Sequence, residues 1–276
     1  NQDSRVVEYL GFNSKQIVTA QTAQSTTSAT LIEAVSDKML QAQLDVLLAE
    51  QWPAAIKIGV IANNSQLRLL IDFFNLHRFK EKSIPIIFDP VLNSTSGLSF
   101  VNWDMQLFAK LLSVCLLVTP NEQEYSHLCK HSQVNPFEQC NLLVKSFKKC
   151  RDYSFDAFFP TALFKQNVVS AGGYFLQNKR QSKQVRATGC SFAAAIAAFV
   201  IEHSLEDAIC LASAFLQRAI TDAVPIEDSG RYRLQLSNKM DQLALLPDIF
   251  YQLPVKPSSA FLAAAPLGLY AVVDSL

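Results

Sequence analysis

Between Ala55 and Cys129 the chain alternates short apolar, β-prone runs with longer stretches of helical periodicity, and few folds tolerate that alternation. The runs are Ala55–Ile61, Ile84–Asp89 and Val114–Val118. Between and after them, Ser65–Phe79, Trp103–Leu112 and Asn121–Cys129 place apolar residues at helical spacing. Upstream, Ile17–Ala20 is β-prone, and Glu33–Glu50 is helical with Leu40, Leu44, Leu47 and Leu48 on one face. Continuous apolar runs of this length suit strands buried on both faces, and such strands separated by helices build parallel sheets. The expected fold class is α/β: a doubly wound, mostly parallel sheet with helices on both faces. Ligands of such sheets bind beyond the carboxyl ends of the strands.

The second half is less regular. Asn135–Arg151 reads as a helix, Phe155–Phe159 as a strand and Val168–Leu176 as a hairpin turning near Ala171-Gly172-Gly173. Lys179–Lys183 reads as a solvated loop, and Ser204–Ala223 as an amphipathic helix with Ser204 as its N-cap. Beyond Pro225 the periodicity fades into a stretch punctuated by Pro247, Pro254, Pro257 and Pro266. The expected division is therefore a domain at 1–228 and a tail or linker at 229–276.

Composition narrows the partners. Of 276 residues, half are hydrophobic and 17% charged, ample for one large domain or two small ones. Lys+Arg and Asp+Glu both number 24, so the net charge is zero. No basic excess exists to neutralise nucleic-acid phosphates or to hold a membrane surface. The longest apolar run, Phe192–Ile201, falls well short of the roughly 20 residues that span a bilayer. The cysteines form no Cys-x-x-Cys pair and the histidines no zinc-type spacing, which reads as a reduced, cytoplasmic protein. The chain opens on Asn1 rather than Met, so a natural start farther upstream is expected.

Polar residues gather where the strands end: Gln24, Lys57, Asp89, Thr95, Ser96, Thr119, Asn121 and Glu124. To these Val185–Val200 adds a polar turn, Ala187-Thr188-Gly189-Cys190, opening into an alanine-rich apolar helix. A helix start leaves about four amides without partners and carries a partial positive charge, so it can hold an anion. Gly189 lets backbone approach closely, and Thr188 and Ser191 can cap or donate. Cys190 falls in the first turn, where the local field favours thiolate. The combination suits phosphoryl transfer to a bound alcohol. A capped core helix with a buried structural cysteine is the alternative that the turn alone leaves open.

Five stretches in order resemble the hydroxymethylpyrimidine (phosphate) kinases of thiamine biosynthesis, members of the ribokinase-like superfamily. They are Ala23-Gln-Ser-Thr26, Lys57-Ile-Gly59, Asp89-Pro-Val-Leu-Asn-Ser-Thr-Ser-Gly97, Thr119-Pro-Asn-Glu-Gln-Glu124 and Thr188-Gly-Cys-Ser191. The resemblance implies a ribokinase-like fold, ATP and Mg²⁺ as cofactors, and a small pyrimidine alcohol or its monophosphate as substrate; it admits a homodimer. It implies that Gln24 bonds the aminopyrimidine, that Asp3 lies near the substrate, and that Val60 and Val91 line its pocket. Asn121 and Glu124 would organise Mg²⁺ by the phosphates, with Asp89 joining Glu124 as a metal ligand. Thr188, Gly189 and Cys190 would form an anion hole in which Cys190 accepts or orients the hydroxyl proton. Arg186 and Ala187 would lie beside the nucleotide, with the adenine between Ile220 and Arg233 and near Val169–Tyr174.

Departures from the family pattern are specific. The first strand and its Gly-Gly-x-Gly loop, expected before Asp3, are missing. A Lys-Gly-Gly segment expected after the strand equivalent to Phe155–Phe159, its Lys reaching the ATP phosphates, is replaced by Phe159-Pro-Thr-Ala162, and Lys165 lies too far along. The usual His-Gly-Thr-Gly-Cys reads Arg186-Ala-Thr-Gly-Cys190; Arg186 offers a compensating cation, while Ala187 adds a Cβ beside the phosphates. The departures at Pro160 and Ala187 imply impaired activity. Two other readings stand beside the kinase: a pyridoxal kinase of the Cys type, and a degenerate pyrimidine-binding or structural homologue. Finally, Pro266–Ser275 resembles the first barrel strand of thiamine-phosphate synthase, which implies a fused synthase module, and Leu269–Val273 is a candidate for the place of the missing first strand.

Overall fold

The computed structural model describes residues 2–24, 29–92, 103–132, 135–161, 173–227, 229–236 and 245–250. Thr95, Ser96, Lys165, the turn at 171–172 and the segment 269–273 lie outside the described residues.

The alternation seen in the sequence becomes α1 (Gln2–Tyr9), β1 (Ala20–Gln24), β2 (Ala29–Ala34), α2 (Asp37–Glu50), β3 (Ile56–Ile58), α3 (Asn64–Leu76), β4 (Ile86–Phe88), α4 (Met105–Leu112), β5 (Leu117–Val118) and α5 (Glu122–Lys130). A 3₁₀ turn (Pro136–Gln139) leads into β6 (Asn141–Lys149), β7 (Tyr153–Phe159) and β8 (Tyr174–Lys179). Helices α6 (Thr188–Phe199) and α7 (Leu205–Thr221) follow, then β9 (Val224–Ile226), β10 (Arg231–Arg233) and β11 (Asp248–Phe250).

Among the described residues, seven strands form the main sheet, in the order β11-β8-β7-β6-β5-β4-β3. β3, β4, β5 and β6 pair in parallel, whereas β7, β8 and β11 add by antiparallel pairing. Five of the seven thus run one way. Ile86 and Phe88 of β4 join the core under α2–α5, with Leu67, Leu70, Phe74, Leu107 and Phe108. Ile87, between them, faces the other core, where Val6 of α1, Phe192–Ala197 of α6 and Ile209 and Phe215 of α7 pack. That one-residue alternation is the pleat, and full burial on both sides explains why the strand carries no polar residue. Alanines at 193–195, wholly buried, let α6 lie close to both the sheet and its neighbouring helices.

Three segments differ from the sequence reading. Asn135–Arg151 is a 3₁₀ turn and a strand, not a helix. Lys145, Lys148 and Lys149 recur at helical spacing, but Leu142, Leu143 and Val144 are all buried, which the centre of a sheet demands and a one-sided helix does not. β1 takes up the polar Gln21–Gln24 beyond the β-prone Ile17–Ala20, and β2 runs to Ala34, so the helix expected from Glu33 begins only at Asp37. β1 and β2 make an antiparallel ribbon outside the main sheet in which Leu31 stays exposed. The segment read as tail or linker contributes β10, paired with β9 across position 229, and β11 at the sheet edge.

Candidate active site

The parallel strands deliver four charged side chains to one place. Asp89 follows β4 and is buried; its Oδ1 pairs with the ammonium of Lys145 from β6. Lys57, from β3, lies 4.0 Å from Asp89 Oδ2 and 2.7 Å from Asp3 Oδ2 on α1. The result is a ladder of alternating charge, Asp3–Lys57–Asp89–Lys145, closed off from solvent along most of its length.

Each charge is held by its neighbours. Burial opposes the ionised form of Asp89, yet Lys145 and Lys57, with hydrogen bonds from Lys145 and Cys190, hold its pKa below the ordinary range. Burial likewise opposes the Lys57 ammonium, and Cys190, Asp89 and Asp3 together raise its pKa. The Cys190 thiol, in contrast, is pushed up to about 12, by burial first and by Asp89 next, against the pull of Lys57 and Lys145. This corrects the expectation of a thiolate: the field of the helix start is outweighed by desolvation and by a neighbouring carboxylate. Buried beside Asp89, Cys190 holds its proton as a thiol.

The turn that begins α6 faces this ladder. Ala187 is its N-cap at φ 58°, with no side-chain cap hydrogen bond. Thr188 and Ser191 therefore do not cap the helix as expected; Thr188 is already helical, and the buried Ser191 hydroxyl has no partner. A Cβ on Gly189 would sit 3.3 Å from Lys145 Nζ, so glycine there gives the amine room to lie over the first turn. The uncapped first-turn amides of α6 thus lie beside the Lys145 ammonium, two kinds of donor that can meet an anion together in this corner.

On the other side stands α5. Asn121 accepts the Glu124 N–H at 2.9 Å while Glu124 Oε2 accepts the Asn121 N–H at 2.8 Å. This reciprocal capping box fixes both side chains at the helix start. Burial raises the pKa of Glu124, with Asp89 adding to the rise and Lys145 opposing it. Asn121 bridges to Lys145 in parallel, and the Lys145 N–H donates to Pro120 O at 2.8 Å.

From this corner a cleft of about 470 Å³ runs past Thr188, Gly189, Lys145, Lys149, Arg186 and Arg231, and reaches Leu216 and Ile220 of α7. Ile220 and Arg231, both within the stretch 220–233 expected near the adenine, line this cleft; 169–172 lie outside the described residues. Val60 is half-buried, its carbonyl accepting Thr19 Oγ1 at 2.6 Å. Val91 is half-buried two residues past Asp89. Gln24 ends β1, paired with Ala29, and its side chain lies outside the description.

Lys145 is a buried cation of this corner that the sequence reading did not name. The lysine that the family resemblance implies is expected beyond Phe159, where Pro160 stands; Thr161 closes that strand end by donating its N–H to Asn141 Oδ1 at 2.8 Å. The signal that could have found Lys145 was the apolar run Leu142-Leu-Val144 ending abruptly in lysine.

The sequence pattern of the phosphomethylpyrimidine kinase family matches residues 1–233. The chain is 27% identical over 241 residues to the hydroxymethylpyrimidine/phosphomethylpyrimidine kinase of Rhizobium meliloti, covering 82% of this chain and 86% of that one. To the thiamine biosynthesis bifunctional protein ThiED of Geobacter sulfurreducens it is 24% identical over 239 residues, covering 81% of this chain and 46% of the relative. It thus spans about half the length of that protein. The fold matches pyridoxal kinase from Staphylococcus aureus in complex with AMP-PCP at a TM-score of 0.70 and 18% identity, covering 90% of this chain and 92% of that one. It matches phosphomethylpyrimidine kinase from Clostridium difficile at 0.58 and 18%, covering 79% and 91%. With the family pattern extending from residue 1 through β10, the chain belongs to the phosphomethylpyrimidine kinase family, a family of phosphotransferases.

Proposed function

We propose that this chain phosphorylates 4-amino-5-hydroxymethyl-2-methylpyrimidine, its monophosphate, or both, with ATP as donor. The observation that carries this reading is the meeting, in one cleft, of the uncapped start of α6 with the buried Lys145 ammonium. In phosphoryl transfer the protein acts mainly by positioning groups and stabilising charge on the transferring phosphoryl oxygens. The amides of Thr188, Gly189 and Cys190 and the Lys145 Nζ supply that stabilisation. Lys145-Ser146-Phe147 at the end of the parallel ladder takes the part of the Lys-Gly-Gly segment, with Ser146 at φ 50° doing what glycine does elsewhere.

The side chains present fit Mg²⁺. Asp89 Oδ2 and Thr119 Oγ1 are buried without hydrogen-bond partners, and with Glu124 they make a set of hard oxygen donors. One or two carboxylates plus substrate phosphates are the usual protein share for this ion, and no cluster of three or more His, Cys, Asp or Glu is found among the described residues. When bound, the ion would neutralise phosphate charge beside Glu124 and Asp89. A thiol with its pKa near 12 is a poor resting base, so Cys190 orients the substrate hydroxyl rather than holding a ready thiolate.

Gln24, Val60, Val91 and Asp3 are the residues we assign to the pyrimidine side, and Arg186 and Ala187 to the nucleotide side. A second reading shares this fold: phosphorylation of pyridoxal, the substrate class of the pyridoxal kinase whose structure the chain resembles. Steady-state ATP-dependent phosphorylation of the pyrimidine alcohol, its monophosphate and pyridoxal separates the two. The expected result is the higher kcat/KM for a pyrimidine, falling by a factor of about 10²–10³ in kcat for Lys145→Met. Preferred turnover of pyridoxal would favour the second reading, and ATP binding without turnover of any of the three would favour a degenerate homologue.

A further inference from the structure

The ladder between β6 and β7 slips in register between Val144 and Lys148, and Lys145 lies inside the slip. In an unbroken strand successive side chains point to opposite faces, and a bulge is the device that re-aims one of them. The residue after Lys145 bears the backbone consequence: Ser146 has φ 50°, a conformation that residues other than glycine keep only where their surroundings hold them.

A single carboxylate holds Ser146. Its N–H donates to Asp156 Oδ1 at 2.7 Å, across from β7. Asp156 Oδ2 accepts from Asn178 Nδ2 at 3.2 Å on β8, and Asn178 Oδ1 accepts from Ser213 Oγ at 2.8 Å on α7. The chain of bonds α7–β8–β7–β6 therefore ends on the amide next to Lys145. From the other side, Pro120 O fixes the Lys145 N–H. Asp156 is the one carboxylate lining the basic cleft among the described residues. It nevertheless forms none of the ion pairs within 4.0 Å found among them. Its hydrogen-bonding capacity goes to the bulge and its support.

We infer that Asp156 is a positioning residue for phosphoryl transfer: it clamps the bulge at Ser146 in the one shape that delivers the Lys145 ammonium to Asp89 and the start of α6. The kinetic part of this inference rests on the kinase reading; the clamp itself does not, and the test keeps them apart. Amide hydrogen exchange at Ser146 reads the clamp, and steady-state kinetics read its use. In Asp156→Ala the Ser146 amide should exchange at least tenfold faster, and kcat should fall about tenfold or more with the pyrimidine KM nearly unchanged, since small misplacements of a charge clamp act on the transition state. Asp156→Asn, which keeps an acceptor toward Ser146, should restore most of both. Ser146→Gly in the Asp156→Ala background should recover part of kcat, because glycine adopts the bulge unaided. If the single Ala variant cannot be isolated, faster exchange at residue 146 in the double variant than in Ser146→Gly alone carries the same meaning. Unchanged exchange and kcat in a folded Asp156→Ala, or an Asn variant as impaired as the Ala one, would overturn the inference. Faster exchange in a chain whose wild type transfers no phosphoryl group would uphold the clamp and remove the kinase reading instead.

Discussion

At the scale of single residues, the site turns on Cys190, whose thiol burial keeps protonated, and on the Lys145–Asp89 ion pair. The position of Cys190 could be read from Thr188-Gly-Cys-Ser191, because a glycine-containing turn before an apolar run marks a helix start. Its protonation could not, since that depends first on burial in the folded chain and then on Asp89, which is far away in sequence. With its pKa near 12, Cys190 should react with iodoacetamide at pH 7 far more slowly than a free small-molecule thiol; peptide mapping by mass spectrometry after timed alkylation checks this, and rapid labelling would mean a thiolate. Cys190→Ala should lower kcat by about 10²-fold while ATP affinity, measured by calorimetry, stays within a few-fold. Lys145→Met carries a second cost. It leaves Asp89 buried with Lys57 4.0 Å away, and removing one partner of a buried ion pair destabilises by about 3–5 kcal/mol, a loss measurable by urea unfolding. Ala187, at φ 58°, was read as an obstacle to phosphate; it is also a strained backbone position. Ala187→Gly should raise stability by about 1 kcal/mol in the same measurement.

At the scale of elements, what could be read in advance followed how local the determinant is. The start of α5 was legible because Asn121 and Glu124 satisfy each other within one turn. β6 was not, because its three lysines mimic the polar face of a helix and its strand character comes from burial between β5 and β7. The clamp on its bulge was less legible still: Asp156, Asn178 and Ser213 lie on three different elements. That clamp has a pH signature. Burial first, opposed by bonds from Ser146 and Asn178 and by nearby lysines, raises Asp156 to about 6. A carboxyl that holds its proton more tightly when folded contributes stability that is fully present below its unfolded pKa of about 4 and is lost as pH rises through 6. Asp156→Asn removes that loss, so its Tm relative to wild type should climb between pH 4.5 and pH 7. A difference that stays flat across this range would contradict the raised pKa.

At the scale of the whole molecule, the parallel half of the sheet does what its alternation in sequence required: it lines up Lys57, Asp89, Thr119 and Lys145 at or beyond one edge, between helices on both faces. The antiparallel half was harder to anticipate because reading β6 as a helix hid its hairpin with β7, and because β11 pairs with β8 from a distant part of the chain. Both halves meet at the cleft, so occupying it should stabilise the fold as a unit. Mg²⁺-ATP at a hundred times its Kd should add about 2.7 kcal/mol to unfolding. The placement of the phosphates is tested most directly by a crystal structure with Mg²⁺ and a non-hydrolysable ATP analogue. The terminal phosphate should lie within hydrogen-bond distance of Lys145 Nζ and the amides of Gly189 and Cys190, with the metal on the Glu124 side. Phosphates bound elsewhere, or a turn at Thr188–Cys190 left without an anion while the nucleotide is fully occupied, would contradict it.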